Sequence, residues 1–110
     1  MIVREFVIRE GCHKDFELIF GSDGVWPELL RRCSEGFAET GLEQVSSVAN
    51  GYKVRDYWRS HRDFEEFRGQ RQFEIDQFQR WLASKDLVEH ETLLGAFYDD
   101  GEDESGLVLR

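Results

Sequence analysis

The chain has 110 residues, 40% of them hydrophobic and 14% aromatic, a composition that suits one globular domain and excludes a disordered chain. Its 23 acidic residues outnumber 14 basic ones, for a formal charge of -9, which argues against nucleic acid and anionic membrane as partners. A chain of this size buries roughly 65% of the surface its unfolded form exposes, so a core forms without staples.

Ile2 to Arg9 alternates, with Ile2, Arg4, Phe6 and Ile8 on one side and Val3, Glu5, Val7 and Arg9 on the other. It reads as a strand that Glu10-Gly11 ends. From His13 the spacing of Phe16, Ile19 and Phe20 predicts a helix, broken by Gly21-Ser22-Asp23-Gly24 and resumed by Trp26, Leu29 and Leu30. Pro27 suits the first turn of that second piece, where its missing amide hydrogen leaves nothing unpaired. Glu43 to Ala49 and Tyr52 to Trp58 flank Asn50-Gly51, a pair that tolerates the positive φ angles of a type I′ turn, so a hairpin is expected. Ser60 caps the next helix with Asp63 in the place of the capping-box acid. Phe64, Phe67, Phe73, Phe78, Trp81 and Leu82 give that long helix an apolar face, with a bend expected at Gly69. Glu91 to Tyr98 reads as a last strand, followed by a partly mobile acidic tail over 99–110.

The fold class is therefore α+β: residues 1–98 form a single domain in the order strand, helix, hairpin, long helix, strand. This is the split βαβ order of a ferredoxin-like protomer with a four-stranded antiparallel sheet. One sheet face packs on the helices. The other, carrying Val3, Val7 and Tyr57, is too apolar to stay wet, and a second copy of the chain is its natural cover. Cys12 and Cys33 have no spacing that suggests zinc and are expected as reduced thiols. Without a charged region followed by an apolar stretch at the N-terminus, or a run near the roughly 18 apolar residues of a membrane span, a soluble cytoplasmic protein is expected.

GSDGVWPELLRR (Gly21 to Arg32), YKVRDYWRS (Tyr52 to Ser60), DFEEF (Asp63 to Phe67) and LLGAF (Leu93 to Phe97) together resemble the antibiotic biosynthesis monooxygenase-like family. The resemblance implies a dimeric α+β barrel, built from two ferredoxin-like protomers with a pocket between sheet and helices in each. It implies several chemistries, among them cofactor-free oxidation of aromatic or quinol substrates and haem cleavage. The haem-cleaving members' asparagine, tryptophan and histidine fall here on Arg4, Phe67 and Gln77, so haem degradation is not expected. His13, His61 and His90 lie elsewhere.

Cofactor-free oxygenation needs an apolar aromatic pocket, a base, and a group that holds the substrate anion. The first and third strands are central antiparallel neighbours in this fold, which sets Arg4 opposite Asp56, Ile2 near Trp58, Phe6 near Val54 and Ile8 near Tyr52. Arg4 then reads as the oxyanion holder and Asp56 as its orienting partner or a base. The other reading of the pair is a mutually satisfied buried salt bridge. Glu5 and Arg55 are expected to pair on the opposite face. Trp58 is either a pocket lid or a packing anchor. Phe6, Trp26, Val54, Phe67 and Gln77 complete the candidate pocket, with Gly21 and Gly24 making room for it. No metal, nucleophile or phosphate-loop pattern is present. Two functions result: a monooxygenase without cofactor acting on a small aromatic or quinol-like molecule, or a non-catalytic homodimer that binds a small ligand or only assembles.

Overall fold

The computed structural model describes residues 1–97; the expected tail over 99–110 lies outside them. Its elements are β1 (Ile2–Ile8), α1 (His13–Phe20), α2 (Val25–Cys33), β2 (Phe37–Val45), β3 (Gly51–Trp58), α3 (His61–Gln70), α4 (Gln72–Lys85) and β4 (Val88–Ala96). The four strands form one antiparallel sheet in the order β2-β3-β1-β4. The architecture is α+β and compatible with a ferredoxin-like fold. Among the described residues no helix is long and apolar enough to cross a membrane.

Alternation decides which side of the sheet is dry. Ile2, Phe6 and Ile8 of β1 and Tyr52, Val54 and Trp58 of β3 join one buried cluster with Phe16, Phe20, Trp26, Leu30, Phe67 and Phe78 from the helices. Val3, Glu5 and Val7, one residue out of phase, point to the other face. There Tyr57 is 36% exposed while Val3 is only 5% exposed.

Expected pairings needed three corrections. β1 meets β3 two residues away from the expected register: Ile2 faces Asp56, Arg4 faces Val54 and Phe6 faces Tyr52. A slip of two preserves every side chain's face, so Arg4 and Asp56 remain neighbours, diagonally rather than directly. β2 begins at Phe37 and ends at Val45, which pairs with Gly51. Residues 46–50 are therefore the hairpin loop, with Asn50 at φ 59° and Gly51 already in the strand. Arg55 pairs with Glu43 at 2.7 Å across the hairpin, and Glu5 faces Lys53. The Arg55 guanidinium, by hydrogen bond and charge, holds the Glu43 carboxyl below its ordinary value.

The helices follow their local chemistry. Pro27 stands in the first turn of α2. Gly24 precedes that helix because a side chain there would press within 2.7 Å of the Leu18 carbonyl oxygen. At the start of α3 the Ser60 hydroxyl oxygen accepts the Asp63 backbone N–H at 3.2 Å. Asp63 is also bound by Arg59 at 2.8 Å, and that contact, ahead of the Ser60 hydroxyl, lowers its carboxyl from the ordinary value. The long helix is two helices: the break falls at Arg71, whose φ of -119° interrupts the run two residues after Gly69. Asp86 closes α4 in the left-handed region at φ 55°, a conformation that Asp tolerates better than most residues.

Candidate functional site

Asp56 is 3% exposed and takes hydrogen bonds from three elements besides its own. The Thr40 hydroxyl of β2 donates to Oδ1 at 2.7 Å, the Trp26 indole of α2 lies 3.1 Å from both oxygens, and Arg4 Nη2 of β1 donates to Oδ2 at 3.3 Å. Both carboxylate oxygens are thus occupied and enclosed. No oxygen is open to a substrate proton, so Asp56 positions Arg4 and Trp26.

Arg4 is 8% exposed. Its guanidinium lies 4.9 Å from the Trp26 ring centre, 5.4 Å from Phe6 and 5.7 Å from Phe20, contacts that favour a desolvated cation. Its second terminal nitrogen, Nη1, meets Glu91 Oε2 of β4 at 3.4 Å. Both carboxylate contacts of Arg4 are at the long limit of a hydrogen bond, but the Glu91 side chain is 34% exposed against 4% for Asp56. Arg4 therefore has one buried, fixed counter-charge and one loosely held at the surface.

The structure places the other candidates as follows. Phe6, Trp26, Val54, Trp58 and Phe67 belong to the packed core, and Gln77 lies exposed on α4, apart from them in environment. Trp26 packs against Phe78 with ring centres 4.7 Å apart and the planes tilted by 45°. Trp58 is ringed by Phe67 at 5.1 Å and by Phe37 and Phe64 at 5.5 Å each. Its indole N–H is buried without a hydrogen-bond partner among the described residues, which costs about 1–3 kcal/mol. Trp58→Phe removes that orphan along with some packing volume, and is expected to change stability by less than about 1 kcal/mol, against about 3–5 kcal/mol for Trp58→Ala. Urea unfolding of the two variants checks this.

A groove of about 220 Å³ lies instead between α4 and β4. Leu82, Ala83, Leu87 and Val88 form its apolar lining, and Gln79 and Glu91 its polar part. Asp86 also borders it, with its carboxylate taken up by Arg9 at 3.1 Å. Glu91 thus touches both the groove and Arg4.

A second polar cluster lies on α1 and the hairpin end. The Tyr52 hydroxyl donates to Glu17 Oε2 at 2.5 Å, and His13 Nδ1 lies 2.8 Å from the Tyr52 hydroxyl oxygen while Nε2 faces Asn50 Oδ1 at 2.9 Å. Burial first, then the Glu17 carboxylate, pushes the Tyr52 hydroxyl above its ordinary value of 10.0. The neutral phenol therefore stabilises the fold fully below about pH 10, and this stabilisation is lost as pH rises beyond it. Unfolding free energy is expected to fall between about pH 9 and pH 11, and to fall less in Tyr52→Phe. Denaturant titrations at both pH values check the difference.

Sequence reasoning missed Thr40, Glu91 and the His13–Tyr52–Glu17 cluster. The four-residue spacing of His13 and Glu17, one turn apart on a helix, was a usable signal for the last. Among the described residues no group of three or more His, Cys, Asp or Glu could hold a metal. No family model, curated protein or solved structure matches the chain. The class defined by fold and site is thus an α+β protein with a four-stranded antiparallel sheet and an aromatic-walled, buried arginine.

Proposed function

We propose that this chain is a small-molecule-binding protein in which Arg4 recognises the anionic or phenolate group of a small aromatic ligand. One observation carries this: a buried guanidinium lies against three aromatic rings, while one of its two carboxylate partners, Glu91, is loosely held and partly in solvent. A ligand anion in Glu91's place would keep the cation neutralised, and Asp56 would keep it aimed. Titration with benzoate and hydroquinone, followed by the NMR shift of the Trp26 indole N–H, tests it. A shift that saturates and disappears in Arg4→Met supports the proposal, and no shift with either probe overturns it.

The aromatic surround of Arg4 favours a second reading, a monooxygenase that needs no cofactor and acts on an aromatic or quinol-like molecule. Its base would have to be a group other than the enclosed Asp56. Oxygen uptake with a quinol panel separates the two: substrate-dependent uptake abolished by Arg4→Met supports catalysis, and its absence leaves binding alone.

We further propose that the protein is a homodimer joined through the uncovered sheet face, as in an α+β barrel. Tyr57 is the exposed aromatic of that face, and its cover by a second copy removes apolar surface from water. Light scattering is expected to give twice the 13.0 kDa chain mass and the single mass in Tyr57→Asp.

A further inference from the structure

We propose that ligands reach Arg4 through the groove between α4 and β4, that Glu91 is the displaceable gate of that route, and that the fitting ligand is a monocyclic aromatic carboxylate or phenolate. The inference rests on Arg4 as the anion-recognition group and adds the route, the gate and the ligand's size. Among the described residues the interior around Phe6, Val54, Trp26, Trp58 and Phe67 is closed by packing, with at most 7% exposure at each.

The groove supplies what such a ligand needs. Leu82, Ala83, Leu87 and Val88 give an apolar bed, and at about 220 Å³ the space is smaller than the roughly 300–1,000 Å³ of drug-sized sites. It therefore suits one ring. The groove's polar end is Glu91, directly in front of Arg4 Nη1 at 3.4 Å.

Glu91 stands where a ligand carboxylate would stand. In the free protein it neutralises the outer side of Arg4, and its exposure lets it swing to water when another anion arrives. Asp56 does not exchange in this way, because Thr40 and Trp26 hold it at 2.7 and 3.1 Å inside the core. Asp86, the other carboxylate of the groove, is bound by Arg9 and so opposes an incoming anion less than a bare charge does. Self-occupancy of this kind lowers apparent affinity by the fraction of time the gate is shut.

Benzoate is the probe, titrated into the full chain with the Trp26 indole signal as readout. Glu91→Gln, which removes the gate's charge and keeps its shape, is expected to tighten benzoate binding tenfold or more. Glu89→Gln makes the same change in net charge on an exposed neighbour and is expected to shift affinity less than twofold. Ala83→Phe fills the groove from the exposed side of α4 and is expected to weaken binding at least tenfold with the fold intact by circular dichroism. Benzoate binding that depends on Arg4 but is unchanged by Glu91→Gln and Ala83→Phe overturns the route and gate while leaving Arg4's role standing. Absence of any Trp26 response in all variants overturns both.

Discussion

Asp56→Ala is expected to destabilise the protein by about 4–5 kcal/mol, and Arg4→Met by about 3 kcal/mol. The order matters more than the values. Removing Asp56 leaves the Arg4 cation, the Trp26 N–H and the Thr40 hydroxyl without their shared acceptor in a site that is 3% exposed. Arg4 then keeps only Glu91, whose side chain is partly in solvent. Removing Arg4 leaves the carboxylate with two neutral donors, and methionine restores part of the apolar packing against Phe6 and Trp26. The double replacement should lose less than the sum, since the second change no longer breaks a pair. Guanidinium unfolding of the four proteins measures the cycle, and an Arg4 loss exceeding the Asp56 loss would refute Asp56 as the acceptor on which the cluster depends.

Gly24→Ala is expected to cost about 3 kcal/mol, whereas Gly69→Ala stabilises by about 0.5–1 kcal/mol. The same added methyl group meets opposite surroundings. At Gly24 it presses on the Ile19 carbonyl and comes within 2.7 Å of the Leu18 carbonyl oxygen. Backbone in a helix end cannot step aside as a side chain can. At Gly69 the methyl meets nothing within 4 Å and lies on an exposed turn of α3, so only the gain in helix propensity remains. Thermal unfolding of both variants tests the signs, and a neutral Gly24→Ala would show that the α1–α2 corner relaxes freely.

These two sites also mark what the sequence could convey. The face of each residue in β1 and β3 was legible, because alternation survives a slip of two, and Arg4 stayed beside Asp56 despite a different opposite residue. The Ser60 cap was legible from its own four residues. The start of β2 was not, since Ala38, Glu39 and Gly41 interrupt the apolar alternation, and Thr40 vanished from view with it. Asn50 does take the positive φ that its pairing with glycine suggested, yet the loop extends back to residue 46, where tertiary pairing overrode the local turn signal. Gly21 and Gly24 read as space for a pocket, while the structure uses them for close backbone contact. The groove was the least legible feature: it joins Gln79 and Leu82 on a helix to Glu91 on a strand, and no local pattern links them.

The sheet order places β1 between β3 and β4, and this has a consequence for assembly in time. Met1 donates its amino group to the Phe97 carbonyl at 2.7 Å across 96 positions, and Arg4 waits for Asp56 across 52. The strand made first is the last to be flanked on both sides. Until β3 arrives, its arginine stays hydrated and its apolar residues have no sheet to join. The β2–β3 hairpin, whose closure spans only residues 46–50, can form early because short loops close at small entropic cost. Desolvation of the Arg4 charge and completion of the sheet therefore belong to one late, long-range event.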